Sequence, residues 1–186
     1  MRVGSWGTPM TKRLKRYYGK GHLHFLTFSC YRRLPLLGTV RARNLFVKEL
    51  RKVREEYGFL LIGYVVMPNH VHLLISEPKK RTPSTVLQML KQRVSRRMRK
   101  RKGASQRGQL SFPFCTDGKE GRSFWQARFY DFNVYSRGKI KEKLNYMHAN
   151  PVIRHFVKHP KDWPWSSWSN YMKSEAGLIE IDGWEK

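Results

Sequence analysis

Two apolar runs meet at Pro68-Asn69, and no other feature constrains this chain as much. Proline and asparagine both favour turn geometry, so Phe59–Met67 reads as one strand and His70–Ser76 as its antiparallel partner. A strand flanked by its hairpin mate belongs inside a sheet. Along it side chains alternate, which sends His70 and His72 to one side and Val71 into the core. Two imidazoles aimed at one point from a rigid element are a pre-aligned pair of metal ligands.

The other elements follow in order. His22–Tyr31 alternates and is rich in aromatic and β-forming residues, so it is the first strand. Its own His-x-His, His22 and His24, opens the strand beside Gly21 with nothing evident to complement it, and reads as polar side chains on a wet face. Arg41–Tyr57 places Leu45, Phe46, Leu50 and Val53 at helical spacing and stops at Gly58. Thr82-Pro83-Ser84 caps a second helix running to about Arg101, with Val86, Leu87, Leu90, Val94 and Met98 as its apolar positions. Residues 102–122 are rich in Gly, Ser and Gln and read as a loop. Phe124–Tyr135 reads as a further strand. Ser136–Asn150 is a third helix, with Ser136 as N-cap, Ile140, Leu144 and Met147 as core stripe, and Pro151 forcing its end. Residues 1–21 form a basic arm, 22–151 the main domain, and 152–186 a tail whose Trp163, Trp165 and Trp168 pack on that domain.

The 186 residues carry 38 Lys+Arg against 13 Asp+Glu, a formal charge of +25. Self-repulsion on that scale suits a polyanionic partner, and nucleic acid leads an anionic membrane surface as the candidate. No apolar run approaches the roughly 20 residues of a spanning helix, and the N-terminus has no apolar signal core. Cys30 and Cys115 make neither a disulfide framework nor a cysteine-based zinc site. The expectation is a reduced, cytoplasmic, nucleoid-associated protein. Within the second helix Lys91, Arg93, Arg96 and Arg97 are nearly all of one sign, with no acidic residue four positions on, which suits a phosphate-contacting face. Lys12, Arg13 and Arg16 of the arm form a phosphate clamp, and Tyr17 adds a ring able to stack on bases.

The third helix brings the pieces together. At about 100° per residue, Tyr146 and Asn150 share one flank, one turn apart. Two imidazoles and an amide oxygen leave a divalent metal with open positions for phosphate oxygens and water. A tyrosine one turn from the amide is held beside whatever phosphate the metal grips, and is a competent nucleophile once that charge is neutralised. The set suggests phosphodiester transesterification on nucleic acid. Tyr130 and Tyr135 are alternative nucleophiles, but neither has an amide four residues on.

Met67-Pro-Asn-His70-Val-His72-Leu-Leu resembles the HUH motif of histidine, hydrophobe, histidine. Tyr146-Met-His-Ala-Asn150-Pro151-Val152 resembles the nucleophile helix of the single-tyrosine HUH transposases of the smallest insertion sequences. The match is closest to their domesticated bacterial branch, the REP-associated tyrosine transposases, which Trp125-Gln-Ala-Arg128-Phe129-Tyr130-Asp131 and Trp163-Pro-Trp-Ser-Ser also resemble. The resemblance spans about Tyr17 to Tyr171. It implies an α+β, ferredoxin-like fold, an antiparallel sheet with flanking helices. It implies Mg²⁺ or Mn²⁺ on His70, His72 and Asn150, and attack by Tyr146 on single-stranded DNA to give a 5′-phosphotyrosine and a free 3′-OH. The implied partner is a REP-type palindromic hairpin with a short guide flank, bound by a monomer or homodimer, with Trp125 and Arg128 as further DNA contacts. One departure is Phe132, where the family often has histidine after the aspartate. Two rivals remain. One is a non-catalytic module that binds single strands on an aromatic sheet; the other is a relaxase or replication nuclease with a third histidine on another strand.

Overall fold

The Pro68-Asn69 turn closes as its residues favour, with the Met67 N–H donating to the His70 carbonyl at 2.9 Å. The computed structural model describes residues 17–103, 123–172 and 177–184. Its elements are β1 (Leu23–Ser29), α1 (Val40–Tyr57), β2 (Leu61–Val66), β3 (His70–Ile75), α2 (Pro83–Gly103), β4 (Tyr130–Val134), α3 (Arg137–Ile153) and α4 (Trp168–Met172). The strands form one antiparallel sheet in the order β2-β3-β1-β4. That order, with α1 and α2 as crossovers, is the ferredoxin-like β-α-β-β-α-β arrangement. β3 is central and buried along its whole length.

The register sorts side chains onto two faces. Phe25 and Thr27 of β1, His70, His72 and Leu74 of β3, and Tyr130 and Phe132 of β4 share one face. His24, Leu26, Phe28 and Asp131 point the other way, where Phe28 meets Phe46 of α1 and Asp131 approaches the α2 start through Tyr18 and Ser84. α1 begins at Thr39, whose hydroxyl accepts from the Ala42 N–H, and ends at Gly58 in the left-handed region at φ 63°.

α3 covers the first face over β2 and β3. Its close approach is permitted by Gly63, where a Cβ would lie 2.6 Å from Leu144 Cδ2 and 2.8 Å from Met147 Cε. Contrary to the sequence reading, α3 does not stop at Pro151 but runs on to Ile153. The ring removes only one donor near the end of the helix. N–H groups beyond it close the last turn, Arg154 to the Asn150 carbonyl at 3.0 Å and Phe156 to the Pro151 carbonyl at 2.9 Å.

One further expectation is corrected. The predicted strand 124–135 is regular only over Tyr130–Val134, because Trp125 turns inward at the end of β1, bridged to Cys30 and donating its indole N–H to the Lys91 carbonyl at 2.9 Å. The tail runs along the outer edge of β2: Val66 N–H donates to the Trp165 carbonyl at 2.9 Å and Ser167 N–H to that of Tyr64 at 3.0 Å. An otherwise open sheet edge is thereby satisfied. Trp163 and Trp165 pack around the Arg43 guanidinium, 5.0 and 3.9 Å from their ring centres.

Candidate active site

The site is assembled by one strand and one helix. β3 carries His70 and His72, both buried, with ring centres 4.9 Å apart. Each ring is oriented through Nδ1, His72 against Thr27 Oγ1 at 2.8 Å and His70 against Asn69 Oδ1 at 2.6 Å. With Nδ1–H donating to these oxygens, each Nε2 keeps its lone pair free, the tautomer a metal ligand needs. Burial holds both rings neutral. His70 is pulled down to about 4, by burial first and then by the positive charges of Arg154 and Arg33. His72 is pulled to about 3, by burial, then His70 and Arg154.

α3 brings Asn150 and Tyr146. Asn150 is buried, its Nδ2 lies 3.3 Å from His72 Nε2, and its Oδ1 is buried without a hydrogen-bond partner. Exchanging the two ends of the amide turns that orphaned acceptor toward the imidazole nitrogens. Two imidazole lone pairs and an amide oxygen thus suit a divalent cation with room for further oxygen ligands. No group of three His, Cys, Asp or Glu residues poised for a metal occurs among the described residues. Tyr146 is 47% exposed, its ring 5.3 Å from that of His72 and 6.2 Å from that of Phe25, edge-on to both. Its hydroxyl is carried by a ring braced on one side and open to solvent on the other.

Positive charge borders this point from two loops. Arg33 ends the turn after β1 and Arg154 follows α3. Arg33 sits with Arg32 at left-handed backbone positions, φ 55° and 50°, and Arg154 directly precedes another, His155 at 57°. Strain of this kind persists where the surrounding structure holds it.

The sequence profile of the family described as IS200-like transposases matches residues 17–150, which takes in all four strands, both histidines, Tyr146 and Asn150. The chain belongs to the IS200-like transposase family. This transposase is 26% identical over 168 residues to the REP-associated tyrosine transposase of Escherichia coli K12, covering 90% of this chain and 88% of that one. A Haemophilus influenzae relative assigned to the same group is 25% identical over 162 residues, covering 87% and 88%. The fold matches a solved REP-associated tyrosine transposase bound to a REP hairpin, with TM-score 0.67, 21% identity and 93% of each chain covered.

The other sequence-predicted contacts fall differently. Trp125 is a buried core ring packed on Phe28 and Phe46, not a platform for bases. On α2 of the transposase, Arg93 pairs with Glu56 at 2.6 Å, Arg97 with Glu49 at 2.7 Å, and Lys91 donates to the Gln126 carbonyl at 2.7 Å. The acids that compensate this helix come from α1, invisible to a search of α2 alone, and α2 lies across the sheet from His70 and His72. Arg96, Arg128 and Tyr17 are exposed. Lys12, Arg13 and Arg16, the 104–122 part of the loop, and Cys115 lie outside the described residues. In the second histidine pair only His22 is partly exposed: His24 is fully buried, 2.8 Å from Asp131 Oδ1 and 3.7 Å from Glu77 Oε1. Sequence reasoning missed Thr27, Asn69, Arg33 and Arg154. Asn69 was beside His70 in plain view, whereas Thr27 needed the β1–β3 register.

Among the described residues, no helix is long and apolar enough to cross a membrane.

Proposed function

We propose that this transposase cuts and rejoins single-stranded DNA at REP-type hairpins through a covalent bond to Tyr146. The observation that carries the reading is the meeting of β3 and α3, which sets the Asn150 amide 3.3 Å from His72 Nε2 with the Tyr146 ring 5.3 Å from the same imidazole. In the reaction, Tyr146 Oη attacks a phosphodiester phosphorus and the P–O3′ bond breaks. The phenol proton leaves to solvent, the departing 3′ oxygen takes one up, and the 5′ phosphate remains on Tyr146. Attack by a different 3′-OH on that link frees Tyr146 and joins the strands. A divalent cation, Mg²⁺ or Mn²⁺, held by His70, His72 and Asn150 would neutralise charge on the non-bridging phosphate oxygens. Phe25 and His72 fix the attacking ring, while Arg33 and Arg154 bias the site toward a polyanion. The REP hairpin as substrate is supported by the names of the relatives and by the formal charge of +25.

The test is a denaturing gel of labelled single-stranded hairpin DNA with wild type, Tyr146→Phe, and wild type in EDTA. A protein–DNA band confined to metal-replete wild type is expected, with hairpin affinity of Tyr146→Phe little changed. A band persisting in Tyr146→Phe would move the nucleophile elsewhere, and one persisting in EDTA would remove the metal.

A further inference from the structure

We propose that the β4 edge of the site face is a base-stacking track for single-stranded DNA, built from Tyr130, Phe132 and Lys143. The proposal rests on the DNA-cleaving reading only for what lies at the inner end of the track. Strand register sets the track. Phe132 sits opposite Phe25 and Tyr130 opposite Thr27, so both β4 rings point to the side of His72 and Tyr146. α3 packs mainly over β2 and β3; on the β1–β4 half Phe25 is buried, Phe132 is half-buried and Tyr130 is exposed.

The rings line up. Tyr130 and Phe132 are parallel to within 2°, their centres 6.3 Å apart, and Tyr130 is 41% exposed. Inward, Phe25 stacks on His72 at 5.5 Å and 10° and meets Tyr146 edge-on. A row of rings therefore runs from the exposed β4 edge to the nucleophile, with the buried Phe25 as its inner link. Lys143, one turn before Tyr146 on α3, places Nζ 5.1 Å from the Phe132 centre and 5.5 Å from that of Phe25. This ammonium, which also pairs with Glu142 at 3.0 Å, stands where the sugar-phosphate of a strand with stacked bases would pass. The occupant is nucleic acid rather than an apolar peptide, because the row is bordered by lysine in a chain of +25. It is single-stranded, because only unpaired bases offer their faces to rings.

The test separates bases from phosphates. Fluorescence anisotropy in EDTA compares a labelled strand of about a dozen mixed nucleotides with an abasic strand of equal length and charge. Wild type should prefer the base-bearing strand by about tenfold or more. The double variant Tyr130→Ala/Phe132→Ala should lose that preference while keeping its abasic affinity, and Phe132→Trp should retain it. Equal binding of both strands by wild type, or equal weakening of both in the double variant, would overturn the track. A covalent band that persists in Tyr146→Phe with metal, alongside an intact base preference, would instead overturn the nucleophile and leave the track standing.

Discussion

His72 is oriented through Nδ1 by Thr27, which sets one tautomer and leaves Nε2 facing the Asn150 amide, the arrangement a metal-ligating histidine on a strand would need. Thr27→Val keeps the β-branched shape and removes the oxygen. Cleavage should then fall by about 10–100-fold, with a higher metal requirement. Thr27→Ser should restore it, and a metal titration of hairpin cleavage reads both. An unchanged titration in Thr27→Val would mean that the ring is oriented by packing alone. His70-x-His72 and Tyr146-x-x-x-Asn150 were legible in the sequence because strand and helix periods alone put each pair on one side. Thr27 was not, since it lies 45 residues from His72 and meets it only through strand register. Trp125 was misread because a tryptophan near arginine suits a base platform and a core corner equally in sequence.

At the scale of elements, the site is the contact between β3 and α3, and Gly63 on β2 sets how closely α3 descends. Gly63→Ala places a methyl against Leu144 and Met147. Overpacking of this kind should cost about 1–3 kcal/mol of stability. By lifting Tyr146 and Asn150 it should lower cleavage more than DNA binding. Denaturant melts with parallel cleavage and binding assays check this, and loss of both in proportion would assign the effect to unfolding. The hairpin, the helices and the sheet class were readable from periodicity and turn chemistry. The end of α3 was not, because Pro151 bars the helix only where the lost hydrogen bond and its ring matter. Near the final turn, later N–H groups compensate. Nor did the basic run of α2 reveal its partners, since Glu49 and Glu56 lie on another helix.

Over the whole molecule, three imidazoles are buried neutral: His70 and His148 pulled to about 4 and His72 to about 3, burial leading in each case. A histidine with its folded pKa below its unfolded one binds fewer protons when folded, so its stabilisation is complete above about pH 6.5 and is lost as pH falls toward 4. The metal-free protein should therefore show a melting temperature that is level near neutrality and declines through this window. The decline should be shallower for His148→Gln, which removes the imidazole bonded to Ser167 at 2.9 Å and leaves the site histidines in place. A level melting temperature down to pH 4 would contradict this. The reaction turns on one atom, Tyr146 Oη, and peptide mapping reads it directly. Trypsin places Tyr146 in Leu144–Arg154 as its sole tyrosine, and Tyr130 and Tyr135 together in Phe129–Arg137. After reaction with hairpin DNA and nuclease trimming, mass spectrometry should find the nucleotide on Tyr146 within Leu144–Arg154. A nucleotide on Phe129–Arg137, or on no tyrosine while cleavage proceeds, would contradict the account.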